Sequence, residues 1–186
     1  MSHRRLNRIS RRCVLVVVIG QAFVVGYLIG FAPVPFSAAR ISAVSGGEKT
    51  LDAMFAYSPS EGAAALAALG SEGRRHYNYL QIADLAFPLS YAAALSSAIF
   101  AWFHKRWALA LACVPIVAAA FDYLENAAVF VALRTYPNPS RAALLGASAA
   151  GVVKWISFVL ALVLCAGGGL YRLARVVRAQ SVGEQH

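Results

Sequence analysis

A chain of 186 residues with 60% hydrophobic and 13% charged side chains departs from soluble domains, which carry roughly 45–50% apolar and about 25% charged residues. The excess lies in long runs and the mean hydropathy is +0.62, so the chain reads as a membrane protein of one compact domain, without a separate soluble module. The net charge of +9 does not make it a nucleic-acid binder, because the arginines sit at the ends of apolar runs, a topology signal and not a groove-binding stripe.

Residues 1–12 form a basic head with Arg4, Arg5, Arg8, Arg11 and Arg12. The apolar run 13–36 exceeds the roughly 7–15 residues of a signal-peptide core. It is expected to be a retained first transmembrane helix; cleavage near Ser37-Ala38-Ala39 is the competing reading. Gly20, Gly26 and Gly30 mark a face where another helix can come close. Gln21 is the one strongly polar side chain inside the run, and Pro33 and Pro35 end it.

Residues 45–78 are expected to form an external helical cap. Ser58-Pro59-Ser60-Glu61 has the form of a helix start, with Ser58 as cap, Pro59 at the first helical position and Glu61 closing a capping box. Gly70 is placed to end that helix, and Leu66 and Leu69 to pack it onto the membrane domain. Ser71-Glu72-Gly73 can begin a further helix that runs into the second span.

The remaining spans are predicted at about 80–103, 107–133 and 142–171. Asp84 and Pro88 interrupt the second near its start, and Tyr91 lies at mid-depth. Tyr77, Tyr79, Trp102, Trp107 and Tyr171 are expected in the interfacial belts. Residues 174–186 form a tail. The fold class is thus an all-α membrane protein, four transmembrane helices in a bundle with a short extracytoplasmic helical cap between the first and second. Ten Lys and Arg flank the side that holds both termini and the 104–106 turn, against six on the other. This predicts a multi-pass protein of the inner membrane with both termini cytoplasmic.

The third span holds Phe121-Asp122-Tyr123-Leu124-Glu125-Asn126, and the fourth holds Lys154-Trp155. At about 1.5 Å per residue, Asp122 lies about 16 Å and Glu125 about 12 Å below the outer end of the third span, and Lys154 about 18 Å below that of the fourth. Asp122, Glu125 and Asn126 share a helix face by their i, i+3, i+4 spacing. Lys154 shares one with Gly151, Ser157 and Phe158, and Gly146 and Ala147 lie a turn or two away. A lone charge at the bilayer centre costs about 2.5–3.5 kcal/mol on insertion scales, so these groups are expected to meet. The expected outcome is a polar chamber in the outer half, lined by Asp84, Tyr91, Asp122, Glu125, Asn126, Lys154 and Trp155. Arg74 and Tyr77 are candidates for a headgroup contact from the cap. The acids outnumber Lys154, so either a carboxyl carries a proton or Arg74, Arg75 or His76 reaches down to balance it.

Other chemistry finds no support. Cys13, Cys113 and Cys165 form no CxxC pair, and His3, His76, His104 and His186 are too scattered to assemble a zinc site. GxSxG, HExxH and P-loop patterns are absent. Gly167-Gly168-Gly169 is expected to be a flexible exit from the last span. No metal or cofactor is implied.

The run YSPSEGAAALAALGSEGRRHY, the Asp, FP and Tyr of the second span, FDYLEN in the third and KW in the fourth resemble a family of small bacterial four-helix integral membrane proteins of uncharacterised function. The resemblance covers most of the chain after Thr50. It implies four spans with an external cap, and polar positions at Arg74, Tyr77, Asp84, Asp122, Glu125, Asn126, Lys154 and Trp155. It implies no activity. Similar proteins often carry Thr where this chain has Gly151, so a hydroxyl is missing from the expected site. Three functions stay open: a binding protein for a lipid headgroup or small amphiphile; an intramembrane enzyme with Asp122 or Glu125 as general acid/base and Lys154 tuning them; or an assembly subunit whose buried ion pair fixes packing. Membrane lipids, such an amphiphile and further copies of the chain are the partners implied, nucleic acid is not. A carrier is disfavoured because no internal repeat is visible.

Overall fold

The computed structural model describes residues 3–103 and 105–183, and among them there is no strand. Met1, Ser2, His104 and residues 184–186 lie outside the described residues. Seven α-helices follow in chain order: α1 (His3–Gly30), α2 (Ala38–Val44), α3 (Pro59–Ala68), α4 (Gly70–Ala83), α5 (Phe87–Trp102), α6 (Lys105–Arg134) and α7 (Arg141–Gly183).

Among the described residues three helical stretches are long and apolar enough to cross a membrane: Gly70–Trp102, Arg106–Arg134 and Arg141–Arg175. The apolar part of α1, Val14–Gly30, is shorter. The expected first span thus ends at Gly30, earlier than residue 36, before the proline pair that blocks helix continuation. The stretch expected as the second span begins earlier than residue 80, at Gly70, because α4 and α5 are joined through one 3-10 turn, Asp84–Ala86. Pro88 sits in the first turn of α5, where its missing N–H costs nothing. The interruption at Asp84 and Pro88 is therefore a local tightening between two stacked helices.

Helix α6 packs along α7 and α5 lies on α6, while α1 leans chiefly on α5. Fully buried alanines, Ala118 and Ala132 on α6 and Ala147 and Ala161 on α7, permit that close packing, since small side chains let backbones approach. Between α1 and α5, Gln21 Nε2 donates to Ser90 Oγ at 2.8 Å. Of the three glycines expected on the contact face of α1, only Gly26 meets a neighbour: a Cβ there would lie 3.1 Å from Phe87, whereas Gly20 and Gly30 face open space.

The cap is an ordered roof. Ser58 accepts from the Glu61 N–H and the Glu61 carboxylate accepts from the Ser58 N–H, completing the capping box. Gly70 adopts φ +65°, the left-handed conformation that glycine enters at little cost, and so turns α3 into α4. Leu66 and Leu69 join Ile41, Leu51, Val129 and Leu144 in one buried cluster that fastens the cap to the C-terminal end of α6 and the N-terminal end of α7.

Two expectations need correction. Gly167-Gly168-Gly169 is not an exit, for α7 continues through it to Gly183. Gly168 instead admits an aromatic ring: a Cβ there would lie 2.9 Å from Phe103 Cε2. Tyr77 is not a belt residue, being fully buried under the cap.

Candidate functional site

Residues at i, i+3 and i+4 project from one side of a helix, and on α6 that side faces inward. Asp122, Glu125 and Asn126 are 4%, 0% and 4% exposed. Lys154 approaches from α7, with Nζ 3.6 Å from Asp122 Oδ1 and in closer contact with Glu125 Oε2. The Tyr91 hydroxyl on α5 donates to Asp122 Oδ2 at 3.2 Å. Asn126 Nδ2 donates to Asp84 Oδ2 at 2.8 Å. Asp122, Glu125 and Lys154, whose depths the sequence supplies, thus meet with Tyr91 across α5, α6 and α7, and Asp84 and Asn126 form a second polar pair.

Gly151 explains how Glu125 fits. A Cβ at this position would stand 2.6 Å from Glu125 Oε1, well inside van der Waals contact. The space that a threonine side chain would occupy is filled by the carboxylate. Gly146, by contrast, meets nothing within 4 Å, so the close approach of α7 to the polar cluster is confined to one turn.

Above this network lies a residue the sequence reading passed over. The 3-10 turn Leu51–Ala53 brings Asp52 beneath the cap, anchored by the fully buried Leu51. The Tyr77 hydroxyl donates to Asp52 Oδ1 at 2.5 Å, and the Asp52 N–H points back to it at 3.4 Å. Nearby, burial first and then the Glu125 and Asp52 carboxylates push the Tyr57 phenol well above its ordinary range, so it stays neutral. No motif around Asp52 in the chain points to a site.

These elements enclose a cavity of about 230 Å³, bounded by Asp52, Asp84, Tyr91, Asp122, Lys154 and Trp155, with Gly26 and Gly30 of α1 on its open flank. Glu125 and Asn126 do not line it. They stand behind the wall, where Glu125 holds Lys154 and Asn126 holds Asp84. A second, apolar cavity of about 580 Å³ runs between α1, α5 and α7, lined by residues such as Phe23, Ala94 and Leu162. The two share Gly26, Phe87, Tyr91 and Phe158 as a common wall. Phe23 and Phe31, on the outer rim, are 76% exposed, as lipid-facing side chains would be.

The expected help from cap cations does not arrive. Arg74 Nη1 donates to the Leu66 carbonyl at 2.9 Å and its guanidinium lies 3.7 Å from the centre of the Tyr136 ring. Arg75 is 3.9 Å from Glu72. His76 donates from Nδ1 to the Pro35 carbonyl at 2.7 Å, with Nε2 3.8 Å from Glu72. All three therefore brace the cap, because Glu72 and helix carbonyls are nearer than the buried acids. Of the two headgroup candidates, Tyr77 touches the site through Asp52 and Arg74 stands apart from it.

Among the described residues no three His, Cys, Asp or Glu side chains converge in a way that could hold a metal ion. The class defined by fold and site is an all-helical protein with three membrane-length helices and a buried acidic-lysine network beneath an ordered cap. No family model, curated protein or solved structure matches the chain.

Proposed function

We propose that this chain is a four-span protein of the inner membrane, with cytoplasmic termini and the α2–α3 cap outside, that holds an amphiphile with its polar head in the acidic cavity and its tail in the apolar groove. The observation that carries this reading is the shared wall: a polar chamber and an apolar channel meet at Gly26, Phe87, Tyr91 and Phe158. Pockets for whole small molecules usually measure about 300–1,000 Å³. The polar chamber alone is too small for that and suits a head, and the groove supplies length for a chain.

For α1 to be the fourth span, its 17 apolar residues must cross a core of about 30 Å while reaching only about 26 Å. Bilayers accommodate a short span by local thinning at modest cost, and the Gln21–Ser90 bond ties α1 to α5.

The packing reading has its own support, and it concerns a different residue. Glu125 is fully buried, bonded to Lys154 and screened from the cavity, so it joins α6 to α7, whereas Asp84 and Asp122 face the cavity. Of the candidate acids, only these two are placed to meet a ligand or a substrate.

Native mass spectrometry of the gently solubilised protein tests the proposal. The wild-type chain is expected to carry a lipid-sized adduct, and Asp122→Asn to lose it while keeping its melting temperature. A wild-type protein without adduct, or equal retention in Asp122→Asn and in a groove-filling Gly26→Leu variant, would sink it.

A further inference from the structure

Acidic side chains outnumber basic ones in the cavity lining, and that excess is informative. Asp52, Asp84 and Asp122 line the cavity together with a single cation, Lys154. That cation is already shared between Asp122 and the Glu125 behind it. The other partners of the lining acids are neutral donors: Tyr77 on Asp52, Asn126 on Asp84 and Tyr91 on Asp122. Such donors satisfy lone pairs without offsetting charge. Among the described residues no second cation lines the cavity; Arg40 and Arg75 sit on Glu72 and Arg74 on Tyr136.

One acceptor is left over. Asp84 is 7% exposed and lines the cavity, and the hydrogen bond its carboxyl receives, from Asn126, goes to Oδ2. Its Oδ1 is not among the enclosed polar atoms left without a partner, so it is open to a donor brought by a ligand in the cavity. The walls beside it are aromatic: Phe87, Tyr91, Trp155 and Phe158. Lys154 Nζ already lies 5.4 Å from the Trp155 ring centre, within the range where a cation is drawn to a π face.

We infer that the head this cavity takes is a protonated amine, so that the ligand is a cationic alkylamine-type amphiphile and not an anionic or uncharged lipid. An ammonium brings positive charge, up to three donors for Asp84, Asp122 and Asp52, and a fit to the aromatic wall. A phosphate or carboxylate head would meet three carboxylates and a lysine with its contacts already taken. The inference rests on the amphiphile reading above and adds the sign of the head.

Three probes of equal chain length separate the two ideas: decylamine, decanol and decanoate, titrated into the full-length protein in a maltoside micelle and read by thermal shift and native mass spectrometry. The amine is expected to bind at least about tenfold more tightly than the alcohol, the scale of one added charge-assisted hydrogen bond, with decanoate weakest. Asp84→Asn, which keeps the side-chain shape, is expected to lower the ratio of amine to alcohol affinity. If amine and alcohol bind alike, or decanoate binds best, the charge inference is overturned and the amphiphile site stands. If none of the three binds, the amphiphile reading fails with it.

Discussion

Lys154 has two acidic neighbours, and they do different things. Glu125 is wholly enclosed and its Oε2 is the nearer partner, whereas Asp122 borders the cavity and divides its oxygens between Lys154 and Tyr91. The enclosure of Glu125 depends on one missing methyl group on α7. Gly151→Ala would place a Cβ 2.6 Å from Glu125 Oε1, and that carboxylate cannot swing away without abandoning Lys154. Overpacking of this kind costs typically about 1–3 kcal/mol. Gly151→Ala is therefore expected to lower the unfolding midpoint in mixed micelles by that order, while the same change at Gly146, which faces open space, leaves it unaltered. Equal midpoints for the two variants would mean that α7 does not rest on Glu125 at this turn.

The cap is the element that converts a helix bundle into an enclosed site, because its 3-10 turn supplies Asp52 and its leucines pack on the C-terminal end of α6 and the N-terminal end of α7. Its least protected part is the start of α3, where the Ser58–Glu61 box closes two orphan backbone donors. Ser58→Ala is expected to remove about 1 kcal/mol from the local stability of α3, read as faster amide exchange over residues 59–68. The same helix carries a pH dependence. The Ser58 N–H first, and then its hydroxyl, hold the Glu61 carboxyl below its ordinary value of 4.5. A group whose pKa is lower in the folded state stabilises above its unfolded value and loses that contribution as pH falls through the folded one. Protection of the α3 amides, the observed rate set against the intrinsic one, should thus hold constant from neutral pH down towards 4.5 and fall below it; Glu61→Gln should abolish that fall. A wild-type profile identical to that of the Gln variant would dissociate the box from α3 stability.

At the scale of the whole molecule the arrangement turns on α1. Were the three stretches long and apolar enough to span, in α4–α5, α6 and α7, the ones that cross, the termini would lie on opposite sides unless α1 provides a fourth crossing. The excess of Lys and Arg beside both termini and the 104–106 turn argues for the even number. A C-terminal green fluorescent fusion is expected to fluoresce and an N-terminal one to do the same, while alkaline phosphatase fused after Asn138 is expected to be active. Termini that report opposite sides would show that α1 lies along the bundle without crossing, and the groove between α1 and α5 would then be a surface feature.

Much of this protein was readable before any fold was seen. The apolar runs, the Ser58-Pro59-Ser60-Glu61 start and the Gly70 stop specify helices because each depends on hydrogen bonds and periodicities spanning only three or four residues. The meeting of Asp122 with Lys154 was legible too, since in a membrane depth is a coordinate that residue counting supplies, and isolated charges there are costly enough to require partners. Counting depth could not tell which acid Lys154 would hold most closely, that Gly151 exists to admit Glu125, that Arg74, Arg75 and His76 would turn to Glu72 and the cap, or that Asp52 would hang over the cavity. Those facts depend on lateral position: the rotation of each helix about its axis and the path of a loop between helices that are far apart in sequence. Local rules set how far each group lies along its helix. Only the packed bundle decides which of its neighbours it faces.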